Sequence, residues 1–453
     1  MATTSLSAPS EPPRNVIWIF GDQHRGQALS LHGDPNVRTP NIDRLGLEGQ
    51  DFPRALMGYP LCCPCRGSLL SSRYPHQCVP GHEYAMPTET KTVAHAFSGY
   101  GYETAWFGKW HVDGFKETEG RAAFHTVPPE RRGGFETWIG YENNNSPWDS
   151  WVHGHRAGEG EVAHMRLPGF ETDALTDLLL DFLEKRSQQG GAGRPFFAGL
   201  SVQPPHNPYV APAPFAGRHN PATLSLRPNV PAVPRIEQTA RQDLAGYYGL
   251  IENLDWNVGR VMEALARLNL LETTYIVFFS DHGDQHGSHG QFKKTAPWEE
   301  SIRVPFMIWG GGSPYYGRQG ASSALVNHVD LAPTSLGLCG LKPPEWMQGR
   351  DLSPLHFLGG PVVERPDSAY LQNVVPTGHG DSVDQPWRGV VTDDGWKLVC
   401  LERVPWLMFN LDEDPYEQVN LAHNSRYREV RERLLKRLHR WVEETGDSFP
   451  LPQ

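Results

Sequence analysis

Asn15-Val16-Ile17-Trp18-Ile19-Phe20-Gly21-Asp22-Gln23-His24 changes character within one step, from an apolar run to a polar turn. A short run rich in β-branched and aromatic residues reads as an interior strand covered on both faces, the type found in parallel sheets. Open α/β sheets bind ligands beyond the carboxyl ends of their strands, so Asp22 stands where chemistry is expected. Three more runs repeat the pattern. Glu103–Phe107 ends in Gly108-Lys109-Trp110-His111, Phe196–Val202 in Gln203-Pro204-Pro205-His206, and Tyr275–Phe279 in Ser280-Asp281-His282-Gly283. Helical signals alternate with these strands. Thr39-Pro40-Asn41 opens a short helix with proline in its first turn, and Thr88–Phe97 predicts another. Ala174–Leu183 carries an apolar stripe, as does the span from about Gln242 to Leu268. The expected fold is α/β, a mostly parallel sheet flanked by helices, with a site along one edge.

Away from these runs the texture changes. Val112 to about Pro168 is rich in Gly, Trp, His and Asn and is expected to form loops over the site. Beyond about Gly360, Arg388–Thr392, Trp396–Leu401 and Trp406–Asn410 read as short strands split by turns, followed by a helix over Tyr427–Glu444. The predicted organisation is a large unit over 1–360 and a smaller C-terminal antiparallel sheet and helix over 361–453.

Hydrophobic residues at 38% and charged residues at 21% allow a sizeable core and exclude a disordered chain. The 52 acidic and 41 basic residues leave a formal charge of -11, which disfavours nonspecific binding to nucleic acid or an anionic membrane. A local cluster of lysines and histidines can still hold a small anion. The opening MATTSLSAPSEPPR lacks the pattern of a secretory signal, and Val16–Phe20 is far too short to span a bilayer. The cysteines are Cys62, Cys63, Cys65, Cys78, Cys339 and Cys400, with three crowded together, a poor layout for a disulfide framework. A reduced, cytoplasmic protein is expected.

The most specific segment is Cys62-Cys63-Pro64-Cys65-Arg66-Gly67-Ser68-Leu69-Leu70-Ser71-Ser72-Arg73. Spacing alone leaves zinc open, although no second cysteine pair completes such a site. The segment resembles the signature of the formylglycine-dependent sulfatases, Cys-x-Pro-x-Arg followed by an apolar pair, with Ser71-Ser72 in place of the usual Thr-Gly. Further pieces follow in family order: Asp22, Gly108-Lys109-Trp110-His111, Pro205-His206-Asn207-Pro208, Asp281-His282-Gly283, Lys294–Pro305 and Asn410–Leu421. The resemblance covers most of the chain and implies an alkaline-phosphatase-like fold with a smaller C-terminal domain.

It also implies a chemistry. Cys62 would be converted to formylglycine by a formylglycine-generating enzyme. The hydrated aldehyde is a geminal diol, with one hydroxyl to attack sulfur and a second whose deprotonation expels sulfate. Asp22, Asp281, His282 and the modified Cys62 would ligate one divalent metal ion. Gln23 stands where many members have a second acid, and His282 where they often have Asn. Fewer carboxylates and an imidazole leave calcium or manganese as the expected ion, with magnesium as an alternative. Lys109 and Lys294 would hold the non-reacting sulfate oxygens, although Lys293 leaves the register of the second lysine open. Arg66 would fix the diol, His111 would take its second proton, and His206 would protonate the departing alcohol. His24, His286 and His289 flank the motifs as candidates for substrate contact or support of the ligands.

The implied activity is hydrolysis of a small sulfate monoester, as in an arylsulfatase. Asp22-Gln23 and Asp281-His282 also resemble the phosphonate monoester hydrolases, so a phosphonate monoester or phosphodiester substrate is the alternative. A noncatalytic anion-binding protein is the alternative of another class. Trp138, Tyr141, Trp148 and Trp151 are candidates for stacking on a sugar or aryl ring, or for burial beneath a loop. Neither the alcohol nor the oligomeric state follows from the sequence.

Overall fold

A computed structural model describes residues 14–188, 193–310, 317–357, 364–378 and 383–453. The opening residues 1–13 and the expected boundary at 360/361 lie outside the described residues.

Asn15–Gly21 is the central strand, wholly buried. It pairs in parallel with Thr274–Ser280 on one side and Phe196–Val202 on the other. Glu103–Lys109 continues beside Phe196–Val202, and Thr137–Tyr141 lies beyond it, again parallel. Phe306–Gly310 is antiparallel to Thr274–Ser280. The alternation within the strands divides two cores. Trp18, Phe20, Trp106, Phe197, Val277 and Phe279 pack on one face. Ile17, Ile19, Phe107, Leu200, Ile276 and Phe278 pack on the other, against the helices Glu171–Gln188 and Pro234–Arg267. Helices on both faces explain why these strands are apolar throughout.

Two expectations are corrected. The helix expected over Thr88–Phe97 begins only at Val93 and runs to Gly99, because the Thr92 amide donates to His95 Nδ1 at 3.2 Å and closes the turn there. The stretch expected as loops, Val112 to Pro168, contains three strands that extend the main sheet: Thr137–Tyr141, Trp151–Arg156 and Gly160–Arg166. Some of its glycines mark close backbone approach within strands rather than turns. A Cβ on Gly154 would stand 1.7 Å from the Trp138 carbonyl oxygen.

A second sheet of four consecutive antiparallel strands follows, Ser368–Asn373, Trp387–Thr392, Trp396–Leu401 and Val404–Asn410. The helix Arg428–Glu444 lays Leu434, Leu438 and Trp441 against it. No described helix is long and apolar enough to cross a membrane.

Candidate active site

Four strand ends and one helix start converge. The helix Cys62–Ser71 begins at Cys62, whose flanking residue Leu61 is extended, so its side chain sits at the positive end of the helix dipole. Asp22 follows the central strand, Asp281 and His282 follow Thr274–Ser280, and Lys109 is the last residue of its own strand. Lys294 arrives from the loop after Asp281. The site residues Asp22, Gln23, Cys62, Arg66, Lys109, His111, Asp281, His282 and Lys294 are all buried.

Cys62 Sγ lies 3.5 Å from Asp22 Oδ1, 3.1 Å from His282 Nε2 and 3.1 Å from Lys294 Nζ. Burial and Asp22 push its pKa up, but Lys294, Lys109 and His282 outweigh them and bring it below the ordinary thiol value. Burial likewise opposes the Asp22 carboxylate, yet Lys109, His206, Lys294 and Arg66 hold it well below the usual range. The His282 ring is oriented by Nδ1, which lies 2.9 Å from the Gly283 carbonyl, leaving Nε2 to face Cys62 and Asp22.

Asp22, Cys62, Asp281 and His282 each offer a ligand atom within 4.8 Å of the others. Gln23 adjoins them in a left-handed backbone conformation, φ 72°. Its amide nitrogen donates to Asp284 Oδ2 and to the Tyr209 hydroxyl, which leaves Oε1 buried and unpartnered. Two carboxylates and one oriented imidazole make a donor set that fits a hard or intermediate divalent ion.

The second cation of the expected pair is Lys294, while Lys293 turns away and sets Nζ 5.2 Å from the centre of the Tyr209 ring. Lys109 Nζ rests 2.8 Å from Asp22 Oδ2. With Arg66, these lysines place three cations against two carboxylates, a balance suited to an incoming anion.

The Sulfatase family profile matches residues 14–341, and the profile of the N-sulphoglucosamine sulphohydrolase C-terminal region matches residues 287–444. The chain belongs to the sulfatase family. An ulvan-active sulfatase of Formosa agariphila is 33% identical over 452 residues, spanning 97% of this chain and 83% of that one. An endo-4-O-sulfatase of Bacteroides thetaiotaomicron is 28% identical over 503 residues, spanning 99% and 95%. Among solved structures, the phosphonate monoester hydrolase of Agrobacterium radiobacter shares the fold, with TM-score 0.76 and 22% identity over 95% of this chain and 96% of that one. This sulfatase is accordingly a sulfuric ester hydrolase with the α/β architecture expected.

In the sulfatase structure Arg66 meets the two acids. Its Nε lies 3.0 Å from Asp281 Oδ2, one terminal nitrogen lies 3.2 Å from Asp22 Oδ2, and the other donates to Ser201 Oγ and the Lys109 carbonyl. It therefore clamps the two acids. His206 accepts from Lys294 at Nε2, 3.0 Å away, while Nδ1 meets the Asn207 carbonyl. Burial and Lys294 keep it neutral, well below its usual pKa. His111 is grouped with Cys63 and His82, and its Nδ1 has no partner.

His24, His286 and His289 have structural engagements. His24 bonds the Ala28 carbonyl, His286 packs between Tyr209 and Tyr247, and His289 stacks on Trp298. Trp138 and Tyr141 are core residues with no exposed surface, whereas Trp148 is exposed and Trp151 half-buried. Sequence reading missed Ser201, Tyr209 and Asp284, which position Arg66 and Gln23. Asp284 follows Asp281-His282-Gly283 and Tyr209 follows Pro205-His206-Asn207-Pro208, so proximity to a motif was their available signal. Ser201, inside an apolar strand, had none.

Proposed function

We propose that this sulfatase hydrolyses a small sulfate monoester of a carbohydrate, using formylglycine made from Cys62 by a maturation enzyme. The observation that carries the reading is Cys62 Sγ at a helix start, within 3.5 Å of Asp22, His282 and Lys294. The ulvan-active and endo-4-O-sulfatase relatives support a sulfated sugar as the substrate class. A divalent ion held by Asp22, Gln23, Asp281 and His282 would supply Lewis acidity to the nucleophilic oxygen. The imidazole supports manganese, and the oxygen donors support calcium or, as the alternative, magnesium.

Lys109 and Lys294 are assigned to the non-reacting sulfate oxygens. A bound sulfate would draw Lys294 from His206 Nε2 and put negative charge beside the ring, raising its proton affinity for transfer to the departing alcohol. Neutral His111 is the base for the remaining hydroxyl; burial, Lys109, His82 and Arg66 hold its pKa well below the ordinary value. The chain is read as a catalytic unit over 1–360 and a smaller unit over 361–453. The unpaired thiols of all six cysteines support a cytoplasmic location.

Fully modified enzyme should prefer sulfate monoesters over matched phosphonate monoesters and phosphodiesters by orders of magnitude in kcat/KM. C62A should abolish turnover, and peptide mass analysis should show the conversion at position 62. Asp22-Gln23 and Asp281-His282 favour the phosphonate monoester reading as second, and the reverse order of kcat/KM would install it. Complete conversion without hydrolysis of any ester class would leave a noncatalytic anion-binding protein.

A further inference from the structure

Beside Cys62 in the chain, a second cluster gathers Cys63 and His82, which the proposed reaction does not use, around His111, its proposed base. Cys63 is buried, and its Sγ lies 3.7 Å from His82 Nδ1. His111 joins them, with ligand atoms of all three residues within 4.8 Å of one another. A tetrahedral ion holding sulfur at about 2.3 Å and nitrogen at about 2.05 Å sets those two ligands about 3.6 Å apart, which the Cys63–His82 spacing matches. His111 is 3% exposed, takes a left-handed backbone (φ 59°) and keeps Nδ1 without a partner.

The surroundings are those of a ligand set. Glu83, also left-handed at φ 57°, donates its amide to Cys63 Sγ at 3.4 Å. Its carboxylate lies 3.7 Å from His82 Nε2, the nitrogen that does not face the sulfur. A carboxylate behind a histidine and an N–H on a thiolate are the outer contacts that orient metal ligands. His82 is about a quarter exposed, giving an ion a way in.

We infer that Cys63, His82 and His111 form a second metal site, for a soft divalent ion such as Zn2+, whose occupation withdraws His111 from the reaction and slows the enzyme. Binding replaces the Cys63 thiol proton, which passes to solvent, and leaves a fourth position for water. Thiolate with two imidazoles selects against the hard ion suited to the carboxylate site. The binding claim stands alone; the control of turnover rests on the role proposed for His111.

The test uses full-length, formylglycine-containing enzyme with its own divalent ion, titrated with Cd2+ alone. The cadmium–thiolate charge-transfer band reads the site, and sulfate-ester hydrolysis reads the consequence. Wild-type enzyme should take up one ion with the band and lose activity by about a hundredfold, the scale of a lost acid–base group. C63S should retain basal turnover, lack the band and resist the ion, and H82N should likewise lack the band. Equal uptake and equal inhibition in all three proteins overturn the site. A band that depends on Cys63 and His82 without loss of turnover overturns the control. Enzyme that hydrolyses no sulfate ester defeats the proposed function, yet still reports the site through the band.

Discussion

At the residue scale, Arg66 joins the two acids of the site. A guanidinium meets Asp22 and Asp281 simultaneously because its nitrogens are held in one plane, and Ser201 and the Lys109 carbonyl fix that plane. Lysine offers a single charged point and cannot span both acids. R66K is expected to lower kcat/KM by about a hundredfold, the scale seen when a preorganised electrostatic contact is lost. Metal content of the purified variant, measured alongside kinetics, should fall with it. Unchanged kinetics and metal content would show that the acids keep their positions without the clamp. Gln23 illustrates what spacing conceals: its left-handed backbone and the Asp284–Tyr209 pair direct one amide atom away and leave the other unpartnered.

At the element scale, the strand Glu103–Lys109 carries Lys109 to Asp22 only if it lies tightly against Phe196–Val202. Gly108 permits this. It pairs with Ser201 at φ 104°, and a Cβ there would stand 2.0 Å from the Ser201 carbonyl oxygen. G108A should destabilise the fold by about 3 kcal/mol, through overpacking against backbone and an unfavourable φ. Displacing Ser201 and Lys109 together should also lower activity in the fraction that folds. Denaturant unfolding with kinetics on the same preparation checks both effects; a near-neutral G108A would mean that the strands separate readily. The same property made Trp151–Arg156 hard to read. Gly154 lies inside that strand because Trp138 approaches too closely for any side chain, whereas local sequence treats glycine as a break.

At the scale of the whole molecule, the four-stranded sheet packs on Leu56 and the segment Ala296–Ile302 through an apolar seam that includes Trp298, Ile302, Leu371, Trp387 and Val399. Lys397 lies inside it, donating to Glu299 Oε1 at 3.0 Å and the Pro297 carbonyl at 2.9 Å, and pairing with Glu417. K397M would leave Glu417 buried without its cation and Glu299 with Arg303 alone, at a cost of about 3–5 kcal/mol. Its thermal midpoint should fall, and K397M/E417Q should recover part of the loss. Equal midpoints for K397M and wild type would reject the ionic tie. Acid should act on the molecule through buried histidines. Burial lowers His24 from 6.5 to about 4, and His286 and His328 to about 3. Between those values and 6.5 the unfolded chain binds more protons, so stability falls as pH drops from 6.5 toward 4. H328Q should reduce that slope by about 1.4 kcal/mol per pH unit in unfolding curves.

The order of motifs and the strand ends were legible because both are local properties. Asn15–Phe20, Phe196–Val202 and Tyr275–Phe279 are buried on both faces, so each wears its environment in its own composition. The polar residues that follow them must lie at the sheet edge. Which atoms meet there is a different matter. Arg66 taking both acids, Lys294 facing Cys62 while Lys293 turns aside, and His111 lying with Cys63 and His82 all depend on chain segments far apart in sequence. Apolar burial directs a segment inward without specifying its partner; directional hydrogen bonds and close backbone contacts choose that partner only after the sheets and helices have packed.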